Sequence, residues 1–302
     1  MSEYFVVKNV ANMMKKADPD SALDSQAIAG TIVHAEKTEN DYCYVQTPDL
    51  YHGWIAKSRL TEVWDRSAYE TICIKTLFAQ VFSKPDENSS LLTKLVIGTR
   101  LAKTNNDVDP FVEIILPDKQ KAYVHKNCIS LWSKTFANES IFEEKWLASN
   151  NDERTQMIAK LGKRAVDLAK RLMGTPYLWG GSSPFGMDCS GMTQLTYGLN
   201  GVQLLRDSYL QWDDKRFVEI AGGKALDEAE LQAGDIVVFD IKQTGTVDHI
   251  GIACGDGTFI QTRGEMKDGG VVIDRCSDLY YKRVYAGAAR LSELAVIDIS
   301  HA

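Results

Sequence analysis

The sequence holds no run of basic residues, no long apolar stretch and no paired cysteine motif, and each absence removes a class of function. With 34 Lys and Arg dispersed among 41 Asp and Glu, the formal net charge is -7. A nucleic acid or an anionic membrane surface finds no counter-charge in such a chain. No apolar segment approaches the roughly 18 residues of a membrane-spanning helix. The first residues, MSEYFVVKNVANMMKKADPD, lack both a basic n-region and an apolar core of about 7–15 residues. The expectation is therefore no signal peptide and a cytoplasmic location, or a periplasmic one if an export segment has been removed. The six cysteines, at 43, 73, 128, 189, 254 and 276, are irregularly spaced, with no CxxC pair to suggest a metal site or a redox couple. A small or neutral ligand, no metal, no cofactor and a monomeric chain are expected.

What is present begins with length. A chain of 302 residues suggests two or three units at roughly 150 residues per domain. The first half repeats itself. AGTIV at 29–33 precedes GWIAKSRL at 53–60, and IGTRL at 97–101 precedes AYVHKNCI at 122–129. Gly30 and Trp54 are 24 residues apart, and Gly98 and Tyr123 are 25. Apolar and alternating segments such as TLFAQVF, TRLAKT and VEIIL read as strands, with turn signals KPDENSS and NNDVDP between them. The pattern resembles the bacterial SH3-like domain, twice over, and implies two small β-barrels at 1–66 and 67–135. Neither copy brings a nucleophile and a base together, so their work is spacing or recognition.

From about residue 136 the pattern becomes helical. Ser140 and Glu143 stand at capping-box spacing. Ile158, Leu161, Ala165, Leu168 and Leu172 then form a helical stripe that ends at Gly174 and Pro176. We take 136–160 as a helical linker and 161–302 as the last domain.

That helix leads into YLWGGSSPFGMDCSGMTQLTYGL at 177–199, where a glycine-rich loop turns into an apolar helix beginning at Asp188, a good N-cap. Cys189 then sits in the first turn, where unpaired N–H groups and the helix dipole favour a thiolate. Gly180, Gly181 and Gly186 are expected to leave the sulfur approachable and to turn N–H groups toward an oxyanion. Cys43, Cys73, Cys128, Cys254 and Cys276 read as small buried hydrophobes.

Of five histidines, His249 opens the apolar strand of VDHIGIACGDGTFIQTRG, while His34, His52, His125 and His301 have surface-like contexts. If Gly255–Gly257 forms a three-residue hairpin loop, Cys254 pairs with Thr258, and His249 and Gln261 become diagonal neighbours on one face. A two-residue turn would place them on opposite faces. With the longer loop, Gln261 can hold the imidazole in one tautomer while its other nitrogen faces the sulfur, the logic of a cysteine hydrolase.

GTPYLWGGSSPFGMDCSGMTQLTY, LLRDSYLQ, LQAGDIVVFD and DHIGIACGDGTFIQTRG closely resemble, in order, the successive blocks of the NlpC/p60 cysteine peptidases over about 165–290. The preceding SH3-like pair extends the resemblance to the γ-D-glutamyl-L-diamino-acid endopeptidases. It implies an α+β, papain-like domain with Cys189 as nucleophile, His249 as base, Gln261 as orienting residue, where many members have histidine, and Tyr177 at the oxyanion. It also implies a substrate with a free N-terminal L-Ala, its ammonium held by Asp188 with Ser190 in support and by Tyr51 of the first barrel, with Asp20 or Asp24 as the accompanying acid. Arg206 and Ser208 are expected to fix the loop or line the groove, and Trp179 to pack. The implied substrate is a soluble murein peptide on its way to recycling. A peptidoglycan-binding protein with an inactive site, or an enzyme of polymeric wall, are the alternatives.

Overall fold

The computed structural model describes residues 2–7, 9–134, 139–220, 225–227, 229–264 and 269–292. The capping pair expected at Ser140 and Glu143, and His301, fall outside the described side chains. The chain divides into two compact units, Met1–Asn138 and Glu139–Ala302.

In the first unit the repeat is literal. Two seven-stranded antiparallel sheets follow one another with the same strand order. In the first sheet this order runs Leu23–Ile28, Val10–Met14, His52–Ala56, Tyr42–Gln46, Ile32–Glu39, Ser2–Val6, Leu60–Glu62. In the second it runs Leu91–Val96, Phe78–Phe82, Lys121–His125, Phe111–Ile115, Arg100–Lys103, Glu70–Ile74, Ile129–Leu131. Alternation explains the cores: Ala11 and Met13, or Cys43 and Val45, point inward at every second position of their strands. The common geometry of the two copies explains their shared Gly-Thr. Gly30 (φ 79°) and Gly98 (φ 88°) both occupy the left-handed region at the turn into a strand. Their N–H groups donate to the carbonyls of Val6 and Ile74 respectively, each at 2.9 Å.

The second unit is α+β. Helices α1 (Glu139–Ala148) and α2 (Asn151–Arg171) lead in, and α2 starts with a capping box between Asn150 and Glu153. Its inner face buries Leu161, Ala165 and Leu168 of the stripe read from the sequence, with Ala169 beside them and Leu172 at the C-cap, while Ile158 is half-buried. The expected boundary at 160/161 falls inside α2. A single capped helix carries the residues on both sides of it, so 139–160 belongs with the second unit and is no separate linker. Helix α3 (Cys189–Gly198) packs against the strands His249–Ala253 and Thr258–Arg263 and against α2. The sheet is antiparallel with the order Phe217–Glu219, Tyr285–Leu291, Ile236–Phe239, His249–Ala253, Thr258–Arg263, Gly270–Arg275. Two short helices, α4 (Ser208–Trp212) and α5 (Leu279–Val284), complete it. Phe239, Phe259, Tyr281, Val237 and Ala253 form the apolar cluster beneath the histidine strand. Among the described residues no helix is long and apolar enough to cross a membrane.

Candidate active site

Cys189 is the first residue of α3, half-buried, at a position whose N–H has no intrahelical acceptor. Asp188 caps the helix, accepting from the Gly191 N–H at 2.7 Å. The hairpin that carries the histidine has the three-residue loop: Gly251 faces Gln261, Ala253 faces Phe259, and the Cys254 N–H donates to the Thr258 carbonyl. Gly255 and Gly257, both at φ 82°, make that loop accessible to the chain. His249 and Gln261 are thereby diagonal neighbours on one face, and His249 Nε2 lies 2.5 Å from Gln261 Oε1.

The direction of that hydrogen bond follows from what lies behind Gln261. Its Nε2 donates to Asp274 Oδ2 and to the Tyr281 hydroxyl, each at 2.5 Å. Asp274 accepts two bonds from Arg263 as well. A carboxylate accepts only, so the amide nitrogen must face Asp274 and the amide oxygen must face His249. His249 therefore donates from Nε2, which leaves Nδ1 for its hydrogen bond with Cys189. Burial opposes the charged imidazole; the Cys189 charge and hydrogen bond, the Gln261 bond and the nearby Asp248 outweigh it and hold His249 above the ordinary histidine range.

Arg206, 1% exposed, organises the other side of the cysteine. Its Nη1 donates to Asp188 Oδ1 at 3.0 Å and to the Ser190 hydroxyl at 2.9 Å, and its Nη2 donates to Asp188 Oδ2 at 2.7 Å. Burial alone disfavours the guanidinium charge, and the Asp188 carboxylate more than compensates. Arg206 is thus a loop-fixing residue. Asp188 also accepts from the Gly180 N–H at 2.9 Å. Together with the Gly191 cap and the Ser190 hydroxyl, these donors occupy the acceptor capacity of a carboxylate. Asp188, expected to hold an ammonium, is thus paired with Arg206 and bonded to the backbone on both sides of Cys189. Ser190 is buried in the same network, and Ser208 is the buried first residue of α4. Gln211 of that helix donates to the Ser190 carbonyl at 3.0 Å and so ties α4 to α3, a link with no local signature in the sequence.

The glycines play another part than expected. The Gly180 N–H is spent on Asp188 and the Gly181 N–H on the Leu178 carbonyl, so neither is turned toward an oxyanion. They are required by contact and conformation: a Cβ on Gly181 would lie 2.4 Å from the Gly186 carbonyl oxygen, one on Gly186 would lie 2.8 Å from Leu178 Cβ, and Gly180 is at φ 74°. Tyr177 is half-buried and bridges in parallel to Met187, two residues before Cys189. Trp179, expected to pack, is 62% exposed. Tyr51 lies in the first unit, partly buried against the core of its own barrel, and its carbonyl accepts from the Thr47 hydroxyl. Asp20 is exposed in a turn, its N–H bonded to Asp18, and Asp24 is half-buried. His52 pairs with Glu36, His34 with Glu3, and His125 Nδ1 accepts from the Asn127 N–H. Cys43, Cys73 and Cys276 are buried, while Cys128 and Cys254 are only half-buried.

A sequence model of the NlpC/P60 family matches residues 174–290, and one of the bacterial dipeptidyl-peptidase SH3 domain matches 13–60. The chain is 29% identical to the γ-D-glutamyl-L-lysine dipeptidyl-peptidase of Bacillus cereus, over 89% of this chain and 75% of that one. It is 31% identical to the murein DD-endopeptidase MepS/murein LD-carboxypeptidase of Escherichia coli, over 48% of this chain and 72% of that one. A crystal structure of an NlpC/P60 family protein from Bacillus cereus shares the fold, with a TM-score of 0.74 at 22% identity, covering 97% of this chain and 100% of that one.

Proposed function

The chain belongs to the NlpC/P60 family of cell-wall peptidases, and from that premise we propose that it is a cysteine endopeptidase cleaving the γ-D-Glu to diamino-acid bond of short murein peptides. The observation that carries the reading is the aligned set Cys189, His249 and Gln261: a cysteine at a helix N-terminus, hydrogen-bonded to a histidine whose tautomer a buried amide holds. The similarity to a γ-D-glutamyl-L-lysine dipeptidyl-peptidase supports the choice of bond.

In this reading the Cys189 thiolate attacks the γ-carbonyl, and the Cys189 N–H with the Tyr177 hydroxyl accommodates the oxyanion. The His249 imidazolium gives its proton to the departing amine of the diamino acid. The same imidazole then takes a proton from water, which attacks the thioester and frees L-Ala-D-Glu. Arg206 and Asp188 act on the chemistry indirectly, by holding the first turn of α3 and the Gly180–Gly181 loop in place. Recognition of a free L-Ala amine, with Tyr51 in the part the resemblance gives it, belongs to the proposal, as does a role in recycling soluble wall fragments. Asp188 contributes to that recognition only through oxygens it already shares with Arg206.

The test is mass spectrometry of L-Ala-γ-D-Glu-diaminopimelate, its lysine counterpart, the N-acetylated forms and intact sacculi. Release of the dipeptide from the free peptides, strongly reduced by acetylation, is expected. Faster release from sacculi than from free peptide would replace the reading with a hydrolase of polymeric wall.

A further inference from the structure

Gln261 is the third member of the candidate site, and an amide in that place has a weakness that a carboxylate does not. Its two ends are nearly equal in shape and opposite in hydrogen bonding. With the oxygen toward His249, Nε2 is the protonated nitrogen and Nδ1 presents a lone pair to Cys189. With the NH2 group toward His249, the proton must move to Nδ1 and the lone pair is turned away from the thiol. The difference between a working and an idle histidine is one rotation about the last bond of Gln261.

Three side chains from three elements remove that freedom. Asp274, on the strand Gly270–Arg275, accepts from Gln261 Nε2 at 2.5 Å. Tyr281, on α5, accepts from the same nitrogen at 2.5 Å and donates its own proton to Asp274 Oδ2 at 3.1 Å. Arg263, at the end of the strand Thr258–Arg263, donates from Nε to Asp274 Oδ2 at 3.1 Å and from Nη2 to Asp274 Oδ1. Gln261 is 1% exposed, and Asp274 and Tyr281 are buried beside it. A flipped amide would point its oxygen at a buried carboxylate, a repulsive contact that burial leaves poorly screened. The charged and titratable groups facing this chain are Cys189 on α3 and Asp248 beside His249, and Arg263 and Tyr281 around Asp274.

We propose that Asp274, held by Arg263 and Tyr281, is a positioning residue that locks the Gln261 carboxamide oxygen onto His249 and so sets the tautomer in which Nδ1 faces Cys189. Its charge also polarises the amide, so that a neutral glutamine presents a more negative oxygen to the histidine than it would alone. The arrangement supplies, one residue removed, what a directly bonded carboxylate supplies in other triads. The proposal deepens the peptidase reading and rests on it for the turnover measurements.

The experiment compares Asp274→Leu, Gln261→Glu and the double variant Gln261→Glu/Asp274→Asn in the full-length chain. Readouts are kcat and KM on the free murein tripeptide, and the pH dependence of iodoacetamide alkylation at Cys189, followed by mass spectrometry of the peptide containing it. Asp274→Leu is expected to lower kcat about 10- to 100-fold, the range seen when the partner that orients a metal-bound histidine is lost, with KM within about twofold, and to move the acid limb of Cys189 alkylation to higher pH. Gln261→Glu places two carboxylates together and is expected to fall as far. The double variant exchanges the amide and the carboxylate between the two positions, so that the new amide donates to the new carboxylate, and is expected to recover most of the loss. Unchanged kcat and alkylation in a folded Asp274→Leu would overturn the proposal. If that variant does not fold, a double variant no better than Gln261→Glu alone overturns it. If the wild-type chain cleaves none of the peptides, the peptidase reading fails, and the alkylation profiles still decide on Asp274.

Discussion

His249 Nε2 and Gln261 Oε1 meet at 2.5 Å although the two residues are not opposite each other in the sheet; Gly251 stands across from Gln261. The diagonal contact exists because the loop at Gly255–Gly257 has three residues, which puts both side chains on the face that receives α3. A change at Gln261 therefore acts on the histidine without touching the nucleophile. Gln261→Leu keeps the volume and removes the acceptor. It is expected to lower kcat about 100-fold with little change in KM, the range of a lost acid–base contribution, measured by steady-state kinetics on the free tripeptide.

The Asp188–Arg206 pair makes a different prediction, one about stability. Both side chains are buried and joined by two hydrogen bonds, so removing the guanidinium leaves a carboxylate with no counter-charge at the start of α3. Arg206→Leu is expected to cost about 3–5 kcal/mol, read as a fall in the denaturant midpoint. Arg206→Lys keeps the charge but not the fork, and is expected to recover only part of it.

For pH, the sign follows from the groups around His249. Its charged form is held above the ordinary histidine range despite burial. The imidazolium needed by the leaving amine therefore persists past about pH 6.5 and is lost as pH rises through the raised value. The alkaline limb of kcat is expected above that pH, and in Gln261→Leu it moves down. An alkaline limb unmoved by that substitution would contradict the assigned partners.

Glu113, in the second barrel, offers a test of the fold away from the site. Burial works against its charge, yet bonds from Thr104, Tyr123, Lys121 and Asn106 hold its carboxyl at about 2, below the ordinary carboxylate range. Its contribution is present above about pH 4.5 and is lost as pH falls toward 2. Glu113→Gln is expected to lower stability by about 3 kcal/mol at neutral pH, with the gap closing in acid. Thermal unfolding of both proteins across that range measures it.

Much of the site was legible because its signals are local. Gly-Asp-Gly narrows the hairpin to a two- or three-residue loop, the structure has three, and the register that follows brings His249 to Gln261. Asp188 before an apolar helix is a cap by residue type alone. The network behind Gln261 was not legible for the opposite reason. Asp274 reaches Gln261 from the next strand across an interval whose register no short turn dictates, and Tyr281 arrives on a separate helix. An acid inside the apolar run GVVIDR was the one available signal. The glycines of the 180s misled for a related reason. Composition shows that a side chain is absent, whereas which neighbour excludes it, here the Gly186 carbonyl beside Gly181, depends on packing. The duplicated barrels were readable since each Gly-Thr marks the same left-handed turn twice.

The most direct test of the whole account is the release of L-Ala-D-Glu from L-Ala-γ-D-Glu-diaminopimelate by the wild-type chain and by Cys189→Ala, followed by mass spectrometry. The account predicts the dipeptide from the wild type and none above background from the variant. Equal release by the two proteins would contradict it.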